Sequence, residues 1–225
     1  MIPIRDNIRS RTFPVVNWLI IGLNLLVFLY EMSLSGTQLE SFVNQYGLIP
    51  SRLSPLIRGN FSVLKPAILI TLLSTMFIHG GFLHVLGNMW FLFIFGDNVE
   101  DRMGKINYLM FYLVAGIMAG VTHVALNLNS DIPAIGASGA ISGVMAAYMF
   151  LFPRSRVVTL IPVFYILPLF IPIRAFVFIG IWFFLQLLYG TSILALKGEA
   201  TGIAFWAHIG GFVAGILLHR LFVRR

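Results

Sequence analysis

Ser138 is the residue around which chemistry is most readily built. It lies in Gly136-Ala137-Ser138-Gly139-Ala140, a small-residue stretch that enters an otherwise apolar run. A serine hydroxyl is a weak nucleophile by itself and needs a base within hydrogen-bond reach. His208 is the candidate base, because imidazole changes charge near neutral pH. His84 and Asn88 stand four residues apart, so a helix presents both on one face. Two such donors converging on a point suit a developing oxyanion, and the backbone N–H of Ser138 at a helix N-terminus adds a third. Each feature also has a purely structural reading. Small residues serve close helix packing in bilayers, and a histidine or a His–Asn pair can simply bond between helices.

The elements that must hold these residues are membrane helices. The chain has 225 residues, 59% hydrophobic and 10% charged, which fits one polytopic membrane domain over 1–225. With no cysteine there is no disulfide framework, no thiol nucleophile and no cysteine-based metal site. The net charge of +7 comes from basic residues flanking apolar runs, so it reports topology and not a nucleic-acid surface. No Walker-type or dinucleotide glycine motif occurs, and no internal repeat is visible.

The apolar pattern predicts an all-α polytopic bundle of six transmembrane helices, at 13–30, 82–98, 106–126, 138–152, 174–190 and 203–222. Residues 31–81 form a long first loop, partly embedded, whose apolar piece at 66–78 is too short to cross. Pro162, Pro168 and Pro172 break 157–173 into a surface segment, and 191–202 reads as a loop. Basic residues concentrate at the N-terminus, at 96–105, at 153–156 and at the C-terminus, which predicts both termini in the cytoplasm.

This topology sets depths. Ser138 to Phe152, His208 to Phe222 and His84 to Asn98 each span 14 residues. At about 1.5 Å per residue, the three polar groups share one level about 21 Å above the inner helix ends. Polar residues at such depth line cavities or functional sites. Gly139, Gly143 and Ala147 form a small stripe on the fourth helix, and Gly211 and Gly215 a G-x-x-x-G on the sixth, which lets the two approach closely. No acidic residue shares this level, since Asp131 and Glu199 lie in loops. The residues thus offer a Ser–His dyad without an acid to orient the histidine.

His84-x3-Asn88, Gly136-x-Ser138-Gly139 and Ala207-His208-x2-Gly211-x3-Gly215, in this order on the second, fourth and sixth spans, resemble the rhomboid family of intramembrane serine proteases. The resemblance covers roughly 13–222. It implies Ser138 as nucleophile, His208 as general base, and His84, Asn88 and the Ser138 N–H as oxyanion donors, with Gly136, Gly139, Gly211 and Gly215 packing around them. It implies hydrolysis of single-span transmembrane protein substrates near their outer membrane boundary, within the bilayer and without metal, cofactor or nucleic acid. The chain departs from the family pattern twice. Ile70-Thr71 replaces the first-loop Trp-Arg pair, and Ser142 stands where an aromatic residue often stacks on the base. His208 must then be held by Ser142 or by packing, and Ser142 becomes a rival nucleophile.

Other residues read more simply. His79 marks a loop-to-helix junction, His123 a packing or boundary histidine and His219 an interfacial anchor. Glu100, Asp101 and Arg102 pair or cap at the inner boundary. A non-catalytic rhomboid-like protein that binds membrane helices is the competing function, with a small transporter behind it. The small size suggests a prokaryotic plasma membrane protein.

Overall fold

The computed structural model describes residues 1–61, 65–163, 167–195 and 204–224. Helix α1 (Val15–Ser33) follows Pro14. Its first free N–H groups, those of Val16 and Asn17, donate to the Glu100 carboxylate at 3.1 and 2.7 Å, so a neighbouring helix caps it. The first loop folds into three short helices, α2 (Gly36–Tyr46), α3 (Pro50–Ile57) and α4 (Pro66–Ser74), the last running into a 3₁₀ turn at Thr75–Phe77. Helices α5 (Phe82–Met103) and α6 (Lys105–Leu126) are joined by Gly104 alone. Its φ of +81° is left-handed backbone that glycine adopts without strain.

Helix α7 (Ser138–Leu151) is the centre of the bundle, and Gly139 through Met149 are all buried. It is followed by α8 (Ala175–Ala195) and α9 (Phe205–Phe222). Five helices among the described residues, α1, α5, α6, α8 and α9, are long and apolar enough to cross a membrane. The expected fourth span, α7, has 14 residues, about 21 Å of helix against a core of about 30 Å.

A close glycine interface joins α7 to its neighbours. A methyl group on Gly211 or Gly215 of α9 would collide with the carbonyl oxygen of Gly139 or Gly143 on α7. On the other side of α7, methyl groups on Gly139 and Gly143 would sit 2.7 and 2.6 Å from Ala119 and Ala115 of α6. Backbones this near gain dispersion contacts that larger residues would prevent.

The chain is not all-α. Strands β1 (Ile2–Asp6), β2 (Arg156–Val163) and β3 (Leu167–Arg174) form an antiparallel sheet in the order β1-β2-β3. The prolines that suggest a broken surface segment fit because Pro168 and Pro172 lie on the edge strand β3. Pro162 pairs only with Pro168, beyond the last β1 partner at Leu160. The sheet is tied to the bundle through Asp6, which accepts hydrogen bonds from Asn98 Nδ2 (2.9 Å) and Tyr148 Oη (2.5 Å).

Two boundaries differ from expectation. Helix α8 runs to Ala195 where a loop was expected from 191, and Lys197, Glu199 and the rest of that loop lie outside the described residues. The first loop is largely helical: α3 buries Leu53, and Leu48 between α2 and α3 packs with it against Val124 of α6, while α2 buries no residue.

Candidate active site

Ser138 is the first residue of α7, and the segment before it is held from below and above. The N–H of Gly136 donates to the Thr75 carbonyl (2.9 Å), Thr75 Oγ1 donates to the Ala134 carbonyl, and Ala134 pairs with Leu48 through two backbone bonds. Gly136 has a φ of +123°, and a methyl group on it would lie 2.7 Å from His84 Nε2 and 3.6 Å from Asn88 Nδ2. Glycine is therefore required for both backbone and space, and the side chains of His84 and Asn88 converge on the turn that delivers Ser138.

His208 Nε2 lies 2.7 Å from Ser138 Oγ. Residues 70 positions apart in the chain come within hydrogen-bond reach because α7 and α9 touch along their glycines. The pair opens into a cavity of about 340 Å³ lined by His84, Asn88, Met145 and Trp182 among others. Asn88 Nδ2 is buried and finds no hydrogen-bond partner among the described residues. An unpaired buried donor of this kind costs about 1–3 kcal/mol, and a ligand oxygen in the cavity relieves it.

The tautomer of His84 follows from its neighbours. The N–H of Gly80 donates to His84 Nδ1 at 3.3 Å, so the ring proton sits on Nε2, the nitrogen that faces Gly136. Both His84 and Asn88 thus present N–H groups toward the Gly136–Ser138 turn. His79, outside the spanning helices, lies edge-on to His84 with ring centroids 5.1 Å apart. Burial, with His84 adding, holds His79 down to about 4, so it supports His84 as a neutral ring at physiological pH.

Ser142 does not hold His208. Its hydroxyl donates to the Ser138 carbonyl at 2.6 Å, the bond a helical serine makes to the preceding turn. The imidazole is instead flanked from α8, where Gln186 Oε1 lies 2.7 Å from His208 Nδ1 and the Trp182 ring centroid lies 5.8 Å from the imidazole. Neither residue was singled out in the sequence. The available signal was Gln186 as a polar residue inside an apolar helix, one turn beyond Trp182.

The other histidines are accounted for by packing. His219 is buried, stacks on Phe150 at 5.4 Å and lies with Nδ1 2.8 Å from the Ile216 carbonyl, so it is a core residue and not an interfacial anchor. Asn127 Nδ2 donates to the His123 carbonyl at 2.8 Å, at the end of α6. Glu100 caps α1 as described, and Asp101 accepts from the Thr12 N–H and hydroxyl at 3.0 and 2.8 Å.

A helical membrane bundle with a serine and a histidine in contact at a largely apolar cavity that holds a few polar groups defines a class of protein. The Rhomboid domain family matches residues 66–225, and the chain belongs to the rhomboid family. That family consists largely of intramembrane serine proteases and includes non-catalytic members. YdcA, a rhomboid-named protein of Bacillus subtilis, is 36% identical over 81 residues, covering 36% of this chain and 40% of the relative. Rhomboid protein 1, mitochondrial, of Saccharomyces cerevisiae is 27% identical over 154 residues, 66% of this chain and 40% of the relative. Rhomboid protease GluP of Bacillus subtilis is 29% identical over 144 residues, 64% of this chain and 26% of the relative. The chain thus spans less than half the length of each of these relatives.

Proposed function

We propose that this protein is an intramembrane serine endopeptidase that cuts single-span transmembrane proteins near the outer membrane boundary. The observation that carries the reading is the 2.7 Å contact between Ser138 Oγ and His208 Nε2 at a cavity bordered by an unpartnered Asn88 Nδ2. In this reading, Nε2 takes the Ser138 proton as Oγ attacks the scissile carbonyl carbon. The carbonyl electron pair moves onto oxygen, where His84 Nε2–H, Asn88 Nδ2–H and the Ser138 N–H receive it. Collapse breaks the C–N bond, and the imidazolium returns its proton to the leaving amine. Water, deprotonated by the same nitrogen, then releases the acyl group from Ser138. A bilayer substrate hides its carbonyls in its own helix, so the bond must be unwound into the cavity before attack.

The test is cleavage of a single-span substrate in reconstituted vesicles by wild type, Ser138→Ala and His208→Ala. Both variants should lose nearly all activity while keeping their melting temperature, and the double variant should be no worse than either. Persistent cleavage by Ser138→Ala overturns the assignment. Binding of substrates without cleavage by wild type transfers the protein to the non-catalytic branch. We propose a prokaryotic plasma membrane as its location, bacterial relatives standing beside mitochondrial ones among those it resembles; recovery from an organelle fraction would refute that.

A further inference from the structure

Both ring nitrogens of His208 have partners, and only one of them belongs to the dyad. Nε2 faces Ser138 Oγ at 2.7 Å, and Nδ1 faces Gln186 Oε1 at 2.7 Å. A neutral imidazole carries one proton. For Nε2 to accept the serine proton, the ring proton must reside on Nδ1. We propose that Gln186 is the positioning residue of the base: its amide oxygen accepts the His208 Nδ1–H and so selects the tautomer whose Nε2 lone pair faces Ser138. The inference rests on the dyad reading above.

The geometry gives Gln186 this task and Trp182 a complementary one. They are four residues apart, hence on one face of α8, and that face meets α9 at His208. Trp182 and Phe205 flank the imidazole with ring centroids at 5.8 and 6.4 Å, which restricts its tilt. Packing alone leaves the tautomer free; a hydrogen-bond acceptor does not. When Nε2 takes the serine proton, the amide dipole faces the positive charge then shared with Nδ1–H. Among the described residues, the titratable groups that interact electrostatically with His208 are His84 of α5 and His123 of α6, neither of which supplies a carboxylate.

The experiment compares wild type, Gln186→Leu, Gln186→Glu and Ser138→Ala in reconstituted vesicles with one single-span substrate. It also records ¹⁵N spectra of histidine-labelled protein. Gln186→Leu keeps the bulk and removes the acceptor. It should lower kcat by about 10- to 100-fold with KM changed less than about twofold, and the His208 spectrum should lose its dominant Nδ1–H form. Gln186→Glu keeps an acceptor oxygen at the same reach and should restore kcat to within about fivefold of wild type along with the Nδ1–H form. Equal losses in the two variants would reduce Gln186 to packing and overturn the inference. So would a Gln186→Leu enzyme with unchanged kcat beside an inactive Ser138→Ala. An active Ser138→Ala would instead refute the dyad reading itself, and this inference with it.

Discussion

At the residue scale, the site depends on donors and acceptors that have one free direction each. Asn88 Nδ2 is buried without a partner, and His84 is held by the Gly80 N–H so that its remaining N–H faces the turn before Ser138. An N–H aimed at empty cavity stabilises charge that appears only during reaction, so its loss should affect kcat more than KM. Asn88→Ala is expected to lower kcat by about 10²–10³-fold with little change in KM, measured on a single-span substrate. A proportional rise in KM with kcat retained would show that Asn88 binds the ground state instead. Ser142, by contrast, spends its hydroxyl on the Ser138 carbonyl, which explains why a second serine one turn away is no competitor for His208.

At the element scale, the distance between Ser138 and His208 is set by how closely α7 and α9 pack. Gly211 leaves no space for a methyl group against the Gly139 carbonyl, and Gly139 in turn abuts Ala119 of α6. Gly211→Ala should therefore push α9 away, destabilise the bundle by about 1–3 kcal/mol and cost on the order of 10²-fold in activity. Thermal unfolding in detergent alongside cleavage measures both; full activity with unchanged melting would refute the packing argument. The sheet makes a second, separate element. Burial raises the Asp6 carboxyl above its ordinary value, with the Tyr148 hydroxyl opposing. A group whose folded value is raised stabilises most below its unfolded value, near 3.8, and loses that contribution as pH rises through the folded value. Asp6→Asn keeps an acceptor for Tyr148 without the charge. Its melting temperature should fall less than that of wild type between about pH 4 and pH 7, the range starting at the unfolded carboxyl value. Parallel curves would show that Asp6 does not titrate there.

At the scale of the whole molecule, the bundle carries its apolar side chains outward. Leu19, Leu26 and Leu29 of α1, Phe184 of α8 and Leu217 and Leu221 of α9 are all exposed, as lipid-facing residues are. The Asp6 end of the sheet lies away from the Ser138 cavity, bonded to Tyr148 and Asn98 near the last turns of α7 and α5, and β1 runs back along α5 to Trp90, whose Nε1–H donates to the Pro3 carbonyl. If the basic flanks set orientation, the Asp6 end is cytoplasmic. The chain has no cysteine, so single cysteines report side without background. Arg9→Cys and Ile132→Cys in sealed vesicles should react with an impermeant thiol reagent from opposite faces. Labelling of both from one face would reject the proposed topology.

The sequence by itself determined the membrane class, the long apolar helices and the residues worth watching. Apolar length and the 14-residue offsets follow from the rise of a helix and the thickness of a bilayer, and both are local quantities. The small-residue stripes likewise announce close approach before any partner is known. What could not be read was long-range. The β1–β2 pairing joins residues more than 150 positions apart, from Ile2 to Leu160, and strand pairing of that kind leaves little periodic trace in so proline-rich a segment. The packing of His219 against Phe150 depends on α9 meeting α7, which charge at a helix end does not reveal. The same holds for Gln186. Its amide is one polar group in an apolar helix until tertiary packing brings α8 against α9, and only then does the oxygen meet His208. Helix period and bilayer depth decide which residues stand at one level; the packing of one helix on another decides which of them touch.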